Sequence, residues 1–391
     1  MSSSRSRLVF AVLAIAFFAT PLALRAVGVT ARPFENRVLA GPPRLSQGWN
    51  AFDEASRFFV DRMPLREQAV RANTWISRHI FDTTPRYGQG AFAAAAQSGL
   101  PFGQPLAPQP APAQRPRPNQ PAPASNHAIV GRDGWLYLQG ELDRACSPPI
   151  TYAQAVSDWK QVVTLVRASG RRAVVLVVPD KSTIYPEHLP ASFQQKQCSE
   201  QNRRALWRAI GAASRDNVVG LRSALLAAKR RAGDGLYRRK DSHWSTLGSL
   251  ALVQAALERT GGGVRLRPSE IVDPGPGTYT GDLTTLVGAA EQDRVQQRNV
   301  RRARGARRVP GRTLFVYDSY GQIGLAQVAP YFVNFRSVDW SQTVPTRLAE
   351  EVARSDTVIF ETVEREFDYR ASDLGEAGPA LLAALRRRLG R

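Results

Sequence analysis

Metal-binding residues are scarce in this sequence. Only two cysteines and four histidines occur in 391 residues. Neither Cys146 nor Cys198 has a histidine or another cysteine at metal-ligand spacing, which argues against a structural zinc site, and no metal is expected. Lysine is confined to positions 160, 181, 196, 229 and 240, so arginine supplies nearly all of the net charge of +20. There is no GxGxxG turn and no Walker loop. Neither a dinucleotide nor a nucleoside triphosphate is therefore indicated, and no cofactor is expected. Zinc-finger, RNA-recognition and basic-zipper patterns are also missing, so nucleic acid is not the expected partner. The basic balance still favours anionic partners, although abundant Arg and Ala also fit a bias in base composition.

Charge is absent from residues 8–24, which follow Arg5 and Arg7. This run is at the short end for a membrane span and slightly long for a signal-peptide core. No clean A-x-A cleavage site follows, and Arg25 interrupts the region that should be small and neutral. The expectation for residues 1–30 is an uncleaved signal anchor in the inner membrane, with the bulk of the chain outside. A cleaved signal peptide and a soluble periplasmic protein is the alternative. Both place the chain in an oxidising space, where Cys146 and Cys198 can pair; two unrelated thiols is the other reading.

Residues 31–86 read as a short helical segment. Phe52, Ala55, Phe59 and Met63 recur at helical spacing, and Pro64 ends that run before a second helix to His79, a surface or packing histidine. Residues 87–126 carry nine of the prolines with much Gly, Ala and Gln, the composition of a linker or inserted disordered loop. The main domain is expected over 127–391. Residues 129–138 suggest a hairpin turned by Asp133-Gly134. Helices are expected over 151–169, 199–213, 222–231, 245–259, 346–354 and 379–389. Strands are expected over 173–178, 217–221, 313–317 and 356–360. Strands alternating with helices imply a mostly parallel sheet covered on both faces.

Two short stretches carry the chemistry. One is Asp241-Ser242-His243-Trp244, an acid two residues before an imidazole. The other is Ser319 in Tyr317-Asp318-Ser319-Tyr320-Gly321, at the end of an expected strand. A serine hydroxyl needs a base to become a nucleophile, and an imidazole needs an acid to hold its tautomer. The backbone N–H of Ser319 suits an oxyanion, with Asn334 as a further candidate donor. The alternative is that Asp241 and Ser245 cap a helix and Ser319 is an ordinary turn serine. His188 is a rival base in the loop 179–190, where Lys181 and Tyr185 are candidate substrate contacts. Trp244 and Tyr320 flank the two motifs and are further candidates. Residues 301–312 contain six arginines and read as a solvated basic loop, with polyanion binding as a second reading.

In order along the chain, Phe34-Glu-Asn-Arg37, Phe58-Phe-Val-Asp-Arg-Met-Pro-Leu-Arg66, Gly131-Arg-Asp-Gly-Trp-Leu-Tyr137, the Pro179-Asp-Lys to Tyr185-Pro-Glu loop, the Asp241 box, the Ser319 turn and Glu361-Thr-Val-Glu-Arg365 resemble the SGNH-hydrolase-like polysaccharide O-acetyltransferases of the alginate AlgJ/AlgX type. The resemblance implies a three-layer α/β/α sandwich. It implies a triad of Ser319, His243 and Asp241 in which the Asp-His pair precedes the serine. It further implies acetyl transfer to a hydroxyl of an exported polysaccharide, with the acetyl supplied through a membrane O-acyltransferase partner. The Tyr-Asp-Ser-Tyr-Gly setting is closer to the Gly-Asp-Ser of esterases, so hydrolysis by the same fold is the runner-up, and a non-catalytic polymer-holding component the third reading. No appended carbohydrate-binding module is expected, so polymer recognition would fall to the catalytic face or to partners.

Overall fold

The computed structural model describes residues 127–287 and 291–390, together with Thr20 and Val27. The chain separates into two compact units, Met1–Pro85 and Arg86–Arg391. The expected anchor at 8–24, the helical segment 31–86 and the proline-rich stretch 87–126 lie outside the described residues. Among the described residues, no helix is long and apolar enough to cross a membrane.

The domain begins with an antiparallel pair, β1 (Ala128–Val130) and β2 (Leu136–Leu138). Its turn places Asp133 and Gly134 at positive φ, a conformation Asp tolerates and Gly adopts freely. Helix α1 (Gln139–Cys146) follows, then α2 (Tyr152–Ala168), whose first turn is capped by the Thr151 hydroxyl accepting from the Gln154 N–H.

Next come β3 (Arg172–Val178), α3 (Lys181–Ile184), α4 (Lys196–Ala212), β4 (Val218–Gly220), α5 (Arg222–Ala232) and α6 (Leu250–Thr260). Two short antiparallel ribbons pair β5 (Ile271–Val272) with β8 (Asn299–Val300), and β6 (Pro276–Thr280) with β7 (Gln292–Gln296). The short helix α7 (Asp282–Leu286) lies between β6 and β7 in sequence. The chain closes with β9 (Val309–Tyr317), α8 (Ser319–Val328), β10 (Phe332–Asp339), α9 (Pro345–Ala353), β11 (Thr357–Val363), α10 (Phe367–Ala371) and α11 (Pro379–Leu389).

Five strands form one parallel sheet in the order β10-β9-β11-β3-β4. Its central members are apolar on both sides because helices cover both faces. Val174, Leu176, Phe315 and Ile359 point into a core shared with α5, α6 and α8. Val175, Val177, Val316 and Phe360 point the other way, against α2, α4, α9 and α11. In that second core Trp159 is fully buried, and its indole N–H donates to the Phe367 carbonyl at 3.0 Å. The result is a three-layer α/β/α sandwich.

Strand order decides where ligands can bind. From β3 the chain steps outward to β4, and from β9 it steps outward the other way to β10, while β11 fills the space between. The C-terminal ends of β3, β11 and β9 therefore meet at the reversal of strand order, where open α/β sheets form a crevice.

Two sequence expectations need correction. The helix expected over 245–259 begins only at Leu250. Ser245 turns back instead: its hydroxyl donates to the Gly235 carbonyl at 2.6 Å, and Trp244 bridges to Tyr237. No helix dipole thus begins directly after His243. The loop expected over 179–190 is partly helical, and Lys181 through Ile184 are buried. The edge strand β10 was not anticipated, because its exposed outer positions break the apolar run that marks β9 and β11.

Cys146 at the end of α1 and Cys198 in α4 form a disulfide, with Cα atoms 5.3 Å apart. It closes a segment of 52 residues, and constraining a loop of that length in the unfolded chain contributes about 4 kcal/mol. Cys198→Ser is expected to lower unfolding stability by up to that amount in denaturant titrations. An unchanged transition midpoint would show that the bond adds nothing to the fold.

Candidate active site

Ser319 is the first residue of α8, directly after β9 ends. Its entry is fixed by Asp318. One carboxylate oxygen of Asp318 accepts from the Tyr320 N–H at 3.0 Å, and the other from the Val363 N–H at 2.8 Å, at the end of neighbouring β11. The Asp318 N–H in turn donates to Glu361 Oε2 at 3.0 Å. Burial and the adjacent Asp318 carboxylate push the Glu361 carboxyl well above the usual range. Gly321 completes this turn. A Cβ there would lie 2.6 Å from the Tyr317 Cβ and collide with Glu361, so only glycine lets the helix start this close to β11. Ser319 is half-buried, and as the first residue of the helix its backbone N–H has no acceptor within α8.

His243 comes from the opposite wall. Its Nε2 lies 2.8 Å from Ser319 Oγ, and its Nδ1 lies 2.8 Å from Asp241 Oδ1. The same Asp241 oxygen accepts from the His243 backbone N–H at 2.9 Å, a local turn that explains the two-residue spacing. Three side chains lock this turn against α8 and α3. The Tyr320 hydroxyl donates to the Ser242 carbonyl at 2.5 Å, and the Trp244 indole N–H donates to the Tyr320 carbonyl at 2.9 Å. The Lys181 ammonium donates to the carbonyls of Arg238, Arg239 and Asp241, the last at 2.6 Å. Burial pushes that ammonium down to about 8.

The site is strongly charged. Burial would raise the Asp241 carboxyl, but the adjoining His243 and the Arg238 guanidinium at 3.5 Å hold it well below the usual carboxylate range. Burial likewise opposes a charge on His243. Its contacts with Asp241 and Asp282 outweigh that and push the imidazole up to about 9. Asp241, His243 and Asp282 bring three potential ligand atoms within 4.8 Å of one another. Those atoms bond to each other and to Ser242, and the Arg238 cation beside them opposes a metal ion.

The structure thus brings Ser319, His243 and Asp241 together. The remaining candidates need correction. Trp244, Tyr320, Lys181 and Tyr185 are fully buried. The polar groups of Trp244, Tyr320 and Lys181 are spent on holding the loop that carries His243. The Tyr185 hydroxyl donates to the Gly233 carbonyl at 2.5 Å. None of them presents a free group to a substrate. Asn334 pairs in register with Arg312, near the start of β9, and so lies at the opposite end of the strand from Ser319, too far to contact an oxyanion there. His188 stacks on Trp135 and pairs with Asp133 and Asp234, away from the serine. Sequence reasoning missed Asp282 and Arg238. Asp282 opens a five-residue helix 39 residues beyond His243, and a lone acid at a helix start reads as an ordinary cap.

A family model described as the SGNH hydrolase-like domain of the acetyltransferase AlgX matches residues 128–325. A probable alginate O-acetylase AlgJ of Pseudomonas aeruginosa is 30% identical over 152 residues, 37% of this chain and 34% of that protein. One from Pseudomonas syringae pv. tomato is 26% identical over 171 residues, 41% of each. The chain thus spans about a third to two fifths of the length of these curated relatives. Among solved structures, the O-acetyltransferase domain of Pseudomonas putida AlgJ aligns with 67% of this chain and 99% of its own, at 20% identity and TM-score 0.47. AlgX of Pseudomonas aeruginosa aligns over 66% of each chain, at 13% identity and TM-score 0.48.

The raised His243 midpoint sets a pH window. Stabilisation from the charged pair is fully present below the unfolded value of 6.5 and is lost as the pH rises through about 9. Asp241→Asn removes the largest attraction, leaving burial to dominate, so the His243 midpoint followed by NMR is expected to fall. A midpoint that stays put would mean that Asp241 does not control the imidazole.

Proposed function

The chain belongs to the family of SGNH hydrolase-like, AlgX-type acetyltransferase domains, and on that premise we propose that it is an O-acetyltransferase acting through an acetyl-serine intermediate on an exported polysaccharide. The observation that carries this reading is the continuous line Asp241–His243–Ser319, with both hydrogen bonds at 2.8 Å, ending on a serine at the C-terminal edge of a parallel sheet.

In the first half-reaction, Ser319 Oγ attacks the carbonyl carbon of an acetyl donor as its proton passes to His243 Nε2. The tetrahedral oxyanion is stabilised by the backbone N–H of Ser319 at the helix start. His243 then gives the proton to the departing donor oxygen, leaving acetyl-Ser319 and neutral imidazole. In the second half, His243 takes the proton of an acceptor hydroxyl, whose oxygen attacks the acetyl carbon. Ser319 leaves with that proton, and the free site is restored. Asp241 keeps the proton on Nδ1 and stabilises the imidazolium formed in both halves. With the imidazole at about 9, roughly one molecule in a hundred carries the basic form at pH 7, so activity should climb with pH.

The compartment follows from two supports. The uncharged run 8–24 after two arginines reads as an export signal or inner-membrane anchor, and the Cys146–Cys198 disulfide suits an oxidising space such as the periplasm. The relatives named alginate O-acetylases make an alginate-like polymer the first acceptor to try. A membrane O-acyltransferase, the donor partner that the family resemblance implies, is the proposed source of acetyl groups.

The test uses the purified chain, 4-nitrophenyl acetate as donor, and deacetylated alginate oligosaccharides as acceptor. Glycan-dependent acetylated product is expected, with kcat/KM rising with pH toward about 9. Ser319→Ala and His243→Ala should each lower turnover about a thousandfold or more. Acetate release without acetylated glycan would make the protein an esterase, and full activity in both variants would remove the triad.

A further inference from the structure

A second acid reaches the catalytic histidine from outside the Asp-x-His motif. Asp282 opens α7, and its side chain extends back to the turn that carries His243, forty residues earlier in the chain. Its Oδ1 accepts from the Ser242 N–H at 2.7 Å, and its Oδ2 accepts from the Ser242 hydroxyl at 2.6 Å. The same Oδ2 lies 3.4 Å from His243 Nδ1. Its own backbone N–H approaches Asp241 Oδ2 at 3.4 Å. The Ser242 hydroxyl donates its hydrogen bond to Asp282, so its oxygen faces Nδ1 at 3.2 Å as an acceptor.

His243 Nδ1 is therefore ringed by three oxygens: Asp241 Oδ1, Ser242 Oγ and Asp282 Oδ2. None of these three can donate to Nδ1. Asp241 and Asp282 are carboxylates, and the single Ser242 proton is engaged. This arrangement leaves one tautomer, with hydrogen on Nδ1 and the lone pair of Nε2 aimed at Ser319. The chain runs unusually close here. A Cβ on Gly281 would collide with the Lys240 carbonyl, so a glycine is needed to bring Asp282 against the turn.

We propose that Asp282 is a positioning residue for the acyl-transfer reaction, acting through Ser242 as a second orienting acid on His243 rather than on substrate. The inference rests on the triad reading given above. Ser242, between the two named members of the Asp-x-His box, becomes a relay rather than a spacer. Asp282 and Arg238 then bracket the Asp241–His243 pair with opposite charge: Asp282 touches the imidazole side, and Arg238 touches Asp241 Oδ2. Other charged or titratable groups around the pair are the Lys181 ammonium behind the Asp241 carbonyl, the Tyr320 ring beside His243, and Arg365 over that ring. Among the described residues, only Asp282 and Asp241 place an anion next to Nδ1, so their removal should lower the imidazole's proton affinity. Removal of Arg238 should raise it.

The test follows His243 by nitrogen-edited NMR across pH in the full chain, alongside turnover of 4-nitrophenyl acetate. Asp282→Asn should lower the His243 midpoint and admit the Nε2-protonated tautomer. It should reduce kcat about tenfold with KM unchanged, the size of loss typical when a hydrogen-bond partner orienting a functional histidine is removed. Asp282→Glu should restore part of both. Ser242→Ala, which keeps the carboxylate but removes the relay, should lower kcat with a smaller change in midpoint. Arg238→Gln should move the midpoint upward. If Asp282→Asn lowers thermal stability but leaves the midpoint and tautomer as in the parent, Asp282 is a structural cap and the proposal falls. The tautomer is read whether or not the protein turns over, so this outcome is separate from failure of the triad reading, which Ser319→Ala decides.

Discussion

The contact between the 241–244 turn and the first turn of α8 is what the rest of the site depends on. Neither element would hold its functional side chain alone. The turn carries His243 but is anchored by Tyr320 and Lys181, and α8 carries Ser319 but is gripped by Trp244. Three bonds cross this seam within one turn of α8: Tyr320 to the Ser242 carbonyl, Trp244 to the Tyr320 carbonyl, and His243 to Ser319. Buried hydrogen bonds of this kind add modest net stability, yet leaving any one partner unsatisfied costs about 1–3 kcal/mol, which fixes the geometry more firmly than the sum suggests. Farther along the seam, Gln327 repeats the pattern by bonding Ser249 at 2.7 Å and the Thr246 carbonyl at 3.0 Å.

Beneath this seam the sheet supplies a platform of acids and arginines at the ends of three neighbouring strands. Asp180 at the end of β3 pairs with Arg365, which follows β11, and Asp318 at the end of β9 lies 3.7 Å from Arg370. Burial raises Asp180 despite Arg365, and burial with the Asp318 carboxylate raises Glu361. The Asp180–Arg365 and Asp318–Arg370 pairs set opposite charges side by side at these strand ends. A buried pair of this sort is costly to break and contributes little net stability, so its value here lies in fixing where Ser319 begins its helix.

Much of this was legible in the sequence because it is local. The both-sided apolar runs around Val174 and Ile359 mark central parallel strands, and Asp133-Gly134 marks a hairpin turn. The pairing of Asp241 with His243 is set by a two-residue turn and can be read from spacing alone. What was not legible is long-range. Lys181, Trp244 and Tyr320 look like residues that would face a ligand, yet packing buries all three. Asn334 reads as a candidate oxyanion donor, but register puts it at the other end of its strand. Asp282 gave no signal, because its significance comes from a glycine-permitted close approach between segments 40 residues apart.

In the proposed reaction every one of these features serves a single event, the transient bonding of an acetyl group to Ser319. The most direct measurement is therefore peptide mass spectrometry of the chain quenched during turnover of an acetyl-ester donor without glycan. The account predicts one acetyl group on Ser319, formed in the parent, absent in His243→Ala, and discharged when glycan is added. Continued donor turnover with Ser319 unmodified, or acetyl carried on another residue, would contradict it.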